Sequence, residues 1–190
     1  MDDTGGTAAA TEADDPDRTA AADELVRAAR AGDEATVSRL LSRGVAADAR
    51  NAEGCTGLYL AVHEGRDGTV RMLLAAGADP EQVTGPYAEE LPLVQAASEG
   101  RLSLVRQLLA AGAGPDRPNR LRATPLGRAA FQGYTDIARV LLEHGADPHL
   151  RWRDRTPLEW AERKGRTETA EFLRTWAAGP EGRDGPGVTA

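Results

Sequence analysis

The sequence predicts an all-α chain: a solenoid of stacked helix–turn–helix units with projecting hairpin-like loops. Three observations predict it. A glycine recurs at Gly32, Gly65, Gly100, Gly133 and Gly165, in steps of 33, 35, 33 and 32 residues. An apolar pair recurs in phase with it, at Leu40-Leu41, Leu73-Leu74, Leu108-Leu109 and Leu141-Leu142, then as Phe172-Leu173 one place earlier in register. A second glycine follows the pair at Gly44, Gly77, Gly112 and Gly145. Landmarks held in phase at this period mark an array of stacked repeats, because no single unit can bury its apolar face alone.

The stretch 122–150 shows the unit most clearly. Thr124-Pro125 predicts a helix start, since a threonine N-cap satisfies an orphan N–H and proline at the first position forfeits no bond. Leu126, Ala129 and Ala130 share one face of that helix. Gly133 is suited to the left-handed residue that ends it. A second helix follows, with Ile137, Val140 and Leu141 spaced as a buried stripe. Gly145 ends this helix, and Asp147-Pro148 turns the chain away.

These motifs resemble ankyrin repeats, whose pattern is T-P-L-H-x-A with G-A-D at the exit. Thr124-Pro125-Leu126 and Thr156-Pro157-Leu158 match closely, and Thr56-Gly57-Leu58 and Leu91-Pro92-Leu93 match in part. Gly77-Ala78-Asp79 and Gly145-Ala146-Asp147 match the exit, and Gly112-Ala113-Gly114 matches two of three positions. The resemblance implies five units, about 23–51, 52–85, 86–119, 120–151 and 152–177, the first and last acting as caps. It also implies a protein-binding role for the loop tips and the exposed face of the first helices. The family histidine is absent throughout: Tyr59, Val94, Gly127 and Glu159 stand in its place. That puts some of the hydrogen bonding between units in doubt.

Taken from its start, the chain opens with residues 1–22, which contain no Leu, Ile, Val, Phe, Tyr or Trp. Such a segment cannot offset the entropy of ordering, so a disordered acidic tail is expected. It lacks the basic and apolar regions of a signal peptide. The first unit lacks a T-P start, and Arg27 and Arg30 in its first helix suit the outer face of a cap. Unit two is expected to be the weakest, because it carries Gly57, Gly65 and Gly68, with Thr69 where unit four has Ile137. Unit three enters through a loop two residues over the period. Trp160 and Trp176 are expected to shield the open end of the stack, and residues 178–190 form a second disordered tail.

Aromatic residues make up only 4% of the chain against 41% hydrophobic, so the core must be close-packed alanine and leucine. The net charge of −7 lies mostly in the tails. Residues 1–20 set six carboxylates (Asp2, Asp3, Glu12, Asp14, Asp15 and Asp17) against Arg18. The single cysteine, Cys55, excludes an internal disulfide and suits a reducing cytoplasm. Lys164 is the only lysine among 23 basic residues, an arginine bias that fits a GC-rich bacterial gene. No run approaches the ~20 apolar residues of a membrane span.

Catalytic and metal motifs find no support. His63-Glu64 has no second histidine four residues on, and His144 and His149 lie in another unit. No G-x-S-x-G surrounds a serine, and Gly65–Gly68 lacks the phosphate-loop spacing and lysine. Cys55 has no histidine close in sequence to form a thiolate pair, so it reads as a bystander on a loop tip. No enzyme activity, cofactor or metal is expected.

A binding surface has more behind it. Position within the family motif selects Glu53, His63 and Glu64 in unit two, and Tyr87, Glu89 and Glu90 in unit three. It selects Arg120, Leu121, Arg122, Phe131 and Gln132 in unit four, and Trp152, Arg153, Arg155, Arg163 and Lys164 in unit five. Phe131 is either an exposed hot spot or packed against Tyr134 or Trp152. Charge runs along the array: residues 51–85 carry −3 and residues 120–151 carry +2. Arg117, Arg120, Arg122, Arg151, Arg153 and Arg155 flank adjacent tips and could form one basic ridge, with Trp152 displayed among them as an apolar anchor for a ligand. Arginine forks bind carboxylates bidentately, so an acidic segment of a protein partner is the expected ligand. The alternatives are arginines merely paired with Asp116 and Asp154, a ridge covered by the chain's own acidic tail, and a nucleic acid or other polyanion. The acid balance of the chain argues against nucleic acid. A monomer is expected.

Overall fold

The computed structural model describes residues 16–82 and 90–179. Among the described residues ten helices run in order: α1 (Pro16–Ala31), α2 (Glu34–Ser42), α3 (Gly57–Glu64), α4 (Asp67–Ala75), α5 (Pro92–Ser98), α6 (Leu102–Ala110), α7 (Pro125–Gln132), α8 (Thr135–Glu143), α9 (Pro157–Arg163) and α10 (Thr167–Ala177). No strand is named among the described residues; the isolated bridges Arg50–Thr56 and Trp152–Arg155 pinch two loop tips. Each unit is an antiparallel pair. First helices stack as α1, α3, α5, α7 and α9, and second helices as α2, α4, α6, α8 and α10.

Local chemistry sets the helix ends. The Thr56, Thr124 and Thr156 side chains accept the N–H of Tyr59, Gly127 and Glu159 respectively. Thr156 and Glu159 complete a reciprocal capping box, which satisfies two orphan donors. Leu91 has no polar side-chain atom to offer, and α5 starts without such a cap.

The main core is the predicted aliphatic one. Leu25, Leu40, Leu58, Leu73, Leu104, Leu108, Leu126, Ile137, Leu141 and Leu173 are buried along the axis between the helix layers, with alanines filling the close approaches. Gly57 belongs to this packing: a methyl added there would lie 3.1 Å from the Ala29 Cβ, so its glycine lets α3 approach α1.

Two expectations change at the ends. Helix α1 begins at Pro16, so the expected disorder over 1–22 is corrected for residues 16–22; residues 1–15 lie outside the described residues. Ala22 is buried, and α1 projects beyond α2 to lie over the unit-one exit, where a cavity of about 890 Å³ is lined by Asp17–Thr19, Ala21, Ala22 and residues 43–46 and 48–50. At the other end, Trp176 packs on Phe172 with ring centroids 5.9 Å apart, as a terminal cap should. Trp160 instead turns into a second cluster on the tip side.

Two ladders tie the units together in place of the missing histidine. The residue after the inter-helix glycine lies over the glycine of the preceding unit. Arg66 Nε donates to Arg30 O at 3.2 Å, Arg101 Nη2 to His63 O at 3.1 Å, and Arg166 Nε to Phe131 O at 3.4 Å. Tyr134 takes this place in unit four, its ring seated over Gly100. Gly133, at φ 89, needs its missing side chain twice: for the left-handed turn and because a Cβ would come within 2.7 Å of Arg166. The second ladder runs along the exits, where Asp48, Glu81 and Asp116 accept the backbone N–H of Asp79, Gly114 and Asp147 in the following units.

Candidate protein-binding face

The tips of units four and five are shaped by local turns. In unit four, Asn119 N donates to Ala123 O at 3.0 Å and Arg122 N donates to Asn119 O at 2.8 Å. The turn places Arg122 at φ 59, in the left-handed region. In unit five, Trp152 and Arg155 exchange backbone hydrogen bonds, with Arg153 at φ 48 and Asp154 at φ 62. Only short polar residues and glycine visit this region readily.

Beneath these tips sits an aromatic cluster. Trp152 and Trp160 are 4% and 6% exposed, and the half-buried Phe131 packs on both, with ring centroids 5.0 to 5.6 Å apart. Leu91, Val94 and Ala123 complete the cluster. Trp160 Nε1 donates to Trp152 O at 2.9 Å. Trp152 Nε1 is buried with no partner among the described residues. Trp152 is therefore not the exposed apolar anchor expected from sequence: it is a strut that joins the unit-five tip to units three and four. Phe131 takes the packed alternative.

Four cations lie on this cluster. The guanidinium carbons of Arg128, Arg153 and Arg155 sit 5.3, 5.5 and 5.2 Å from the centroids of Trp152, Trp152 and Trp160, and Lys164 Nζ sits 4.3 Å from that of Phe131. Aromatic faces attract cations, so these groups are held in place rather than left to wander. Sequence reasoning missed Arg128, whose Nε also donates to Ser98 Oγ at 2.6 Å. Its place on the first-helix face between Gly127 and Ala129 was the available signal.

The ridge is narrower than expected. Arg117 is engaged by Glu81, and Arg151 donates to Asp154 O at 2.6 Å while lying 3.6 Å from Glu159. Asp116 is occupied by the Asp147 N–H, not by an arginine. Arg120, Arg122, Arg153 and Arg163 are exposed, and Leu121 stands among them at 54% exposure.

The acidic half of the candidate face is built differently. Glu53 is exposed on the unit-two tip. Glu64 pairs with Arg30 at 3.1 Å. His63 stacks on Tyr59 and meets the Gln95 amide. Glu90 accepts the Asn119 amide at 3.0 Å, bracing units three and four, and Gln132 donates to Ser98 O at 3.3 Å. Tyr87 and Glu89 lie outside the described residues. Cys55 is buried rather than displayed on the tip, and burial, aided by the Glu53 charge against Arg30, pushes its thiol pKa up. A raised thiol is a poor nucleophile. Among the described residues no cluster of side chains could hold a metal ion, and no helix is long and apolar enough to cross a membrane.

An array of helix pairs with pinched tips, ordered along one face, defines a helical repeat protein of the solenoid class. Comparison with known families agrees: the model for ankyrin repeats in three copies matches residues 93–183, and the single ankyrin repeat model matches residues 53–85. The chain belongs to the ankyrin repeat family, whose members generally mediate protein–protein interaction. It is similar to a mitochondrial disaggregase of Bos taurus, 34% identical over 163 residues, a match covering 80% of this chain and 22% of that protein. A mitochondrial disaggregase of Homo sapiens is 46% identical over 56 residues, covering 30% of this chain and 8% of that one. The chain thus spans less than a quarter of the length of these relatives. They are mammalian, and nothing in them supports the bacterial source expected from arginine usage.

Proposed function

We propose that this chain is a non-catalytic module that binds an acidic segment of another protein across the tips of units four and five and the adjoining faces of α7 and α9. The observation that carries this reading is the set of four cations, Arg128, Arg153, Arg155 and Lys164, propped on Phe131, Trp152 and Trp160. Ring contacts reduce the freedom each cation would lose on meeting a carboxylate, so less of the contact energy is spent on ordering. The unit-two tip carries Glu53, and among the described residues no cation there is held on an aromatic ring. The module acts as a monomer, and its lone buried thiol suits a reducing compartment such as the cytoplasm.

The test uses charge reversals in the full chain. Arg120→Glu with Arg153→Glu abolishes binding of the partner with folding intact, whereas Glu53→Arg with Glu89→Arg leaves it largely in place. The opposite ranking refutes the proposal. Duplex DNA bound with a steep salt dependence and lost in the arginine pair would show a polyanion site instead.

A further inference from the structure

We propose that the unit-four tip, Arg120-Leu121-Arg122, selects among acidic ligands by requiring a large apolar side chain, for which Leu121 is the contact. The ligand is thus an acidic peptide segment that carries a leucine- or phenylalanine-like residue, not a bare polyanion. This rests on the reading of these tips as the docking site of an acidic segment, and adds to it what the ligand must contain.

Leu121 is singular. The large aliphatic side chains of the described residues are otherwise buried or half-buried, yet Leu121 is 54% exposed in a turn between Arg120 and Arg122. A lone exposed leucine needs no explanation by itself; this one stands on a backbone that carries a cost. The unit-two tip makes the same turn, with Gly54 N donating to Asn51 O at 2.8 Å and Asn51 N to Cys55 O at 3.0 Å, and there a glycine holds φ 75. Unit four holds an arginine at that position, at φ 59. A glycine would make the same turn and the same Asn119 backbone bond with less strain, while the exposed Arg122 side chain makes no hydrogen bond, ion pair or ring contact among the described residues. Strain retained at an exposed position points to use by a ligand.

The surroundings define that ligand's chemistry. Arg120 and Arg122 flank Leu121, and Arg153 of the next tip is held over Trp152. Trp152 also packs on Ala123, two residues from Leu121, and so supports the tip from below. An apolar contact ringed by guanidinium groups fits a peptide in which an apolar residue is flanked by aspartate or glutamate. A phosphate backbone would satisfy the arginines but bring nothing to the leucine.

The test is fluorescence anisotropy of the full chain with two labelled synthetic peptides, one of aspartate and glutamate around a central Leu-Phe pair, and its twin with Ser-Ser at the centre. The apolar peptide is expected to bind roughly tenfold more tightly than its twin. Leu121→Ser erases that difference without changing the twin's affinity, Leu121→Met retains it, and Arg122→Gly weakens both. Equal binding of the two peptides by the wild-type chain, or a difference that survives Leu121→Ser, overturns the selectivity. If both peptides bind equally and are lost together in Arg120→Glu with Arg153→Glu, the acidic docking reading stands without the apolar requirement. If neither binds while duplex DNA does, both readings fall.

Discussion

Asp116 accepts the backbone N–H of Asp147 with both carboxylate oxygens, at 2.9 and 3.2 Å. The bond reaches from the exit of unit three to the exit of unit four, and Asp48 makes the same one to Asp79, at 3.0 and 3.2 Å. A carboxylate four residues past the exit glycine thus staples each unit to the next, until His149 takes that place in unit four and the ladder ends. Asp116→Ala is expected to destabilise by about 1–2 kcal/mol, since it leaves a backbone donor of the next unit unpaired. Equilibrium urea unfolding checks this, and a midpoint unchanged from wild type would remove the staple from the account of stability.

Glu81 carries the same staple to Gly114 and adds Arg117. Partial burial alone would raise its carboxyl pKa, but the Gly114 N–H and the Arg117 guanidinium outweigh that and hold it below the ordinary 4.5. A carboxylate whose pKa is lowered by folding stabilises the native chain above its unfolded value and loses that contribution as pH falls through the folded value. Glu159 is lowered as well, chiefly by the Thr156 N–H in its capping box. Melting temperature is therefore expected to fall as pH is taken down through and below about 4.5, and Glu81→Gln to flatten that dependence. A wild-type melting temperature independent of pH between 5 and 3 would contradict it.

Equivalent threonines in two second helices should respond in opposite senses. Thr169 Oγ1 meets Thr135 Oγ1 at 2.8 Å, while Thr69 Oγ1 is buried without a partner among the described residues. Thr69→Val is expected to stabilise by about 1 kcal/mol and Thr169→Val to destabilise by about the same. Denaturant midpoints of the two variants decide it. Unit two is for the same reason expected to open first, with amides of Val70–Leu74 exchanging faster than those of Val140–Leu142 in native-state hydrogen exchange. Gly68→Ala adds less than a mid-helix site would, because Gly68 lies in the first turn of α4 and its new methyl must displace the Glu34 carboxylate.

Truncation separates the part of the N-terminus that packs from the part that precedes it. A chain starting at Pro16 is expected to melt with the full chain. One starting at Asp23 loses the buried Ala22 and half of α1, and should melt lower by about 2–4 °C per kcal/mol lost. Equal melting of the two truncations would mean that residues 16–22 add nothing.

Trp152→Ala is expected to cost about 3–5 kcal/mol, the range for a fully buried aromatic. Its effect on acidic-peptide binding should exceed what Arg153→Ala produces alone, because the strut supports both tips. Far-UV circular dichroism with a chemical denaturation curve measures the first, and anisotropy the second.

By itself the sequence determined the family, the five-unit organisation, the helix starts at Thr56, Thr124 and Thr156, and the leucine–alanine core. All of these are written within a few residues: a cap, a periodic stripe, a terminating glycine. It also marked the two loops on which the proposed face is built, since runs of arginine at two tips are visible without coordinates. Only the tertiary structure decided which groups on those loops are displayed. Trp152 is buried because its neighbours, Leu91, Val94, Ala123, Phe131 and Trp160, come from three units and meet only when the first helices stack. Residues 19–22, Thr-Ala-Ala-Ala, carry no large apolar side chain, so their helix was illegible until the exit of unit one gave it a surface to cover. Arg117 left the ridge for Glu81 of the preceding unit. A pattern along the chain records what a residue does for its own helix, and burial against a neighbouring unit is a property of the stack.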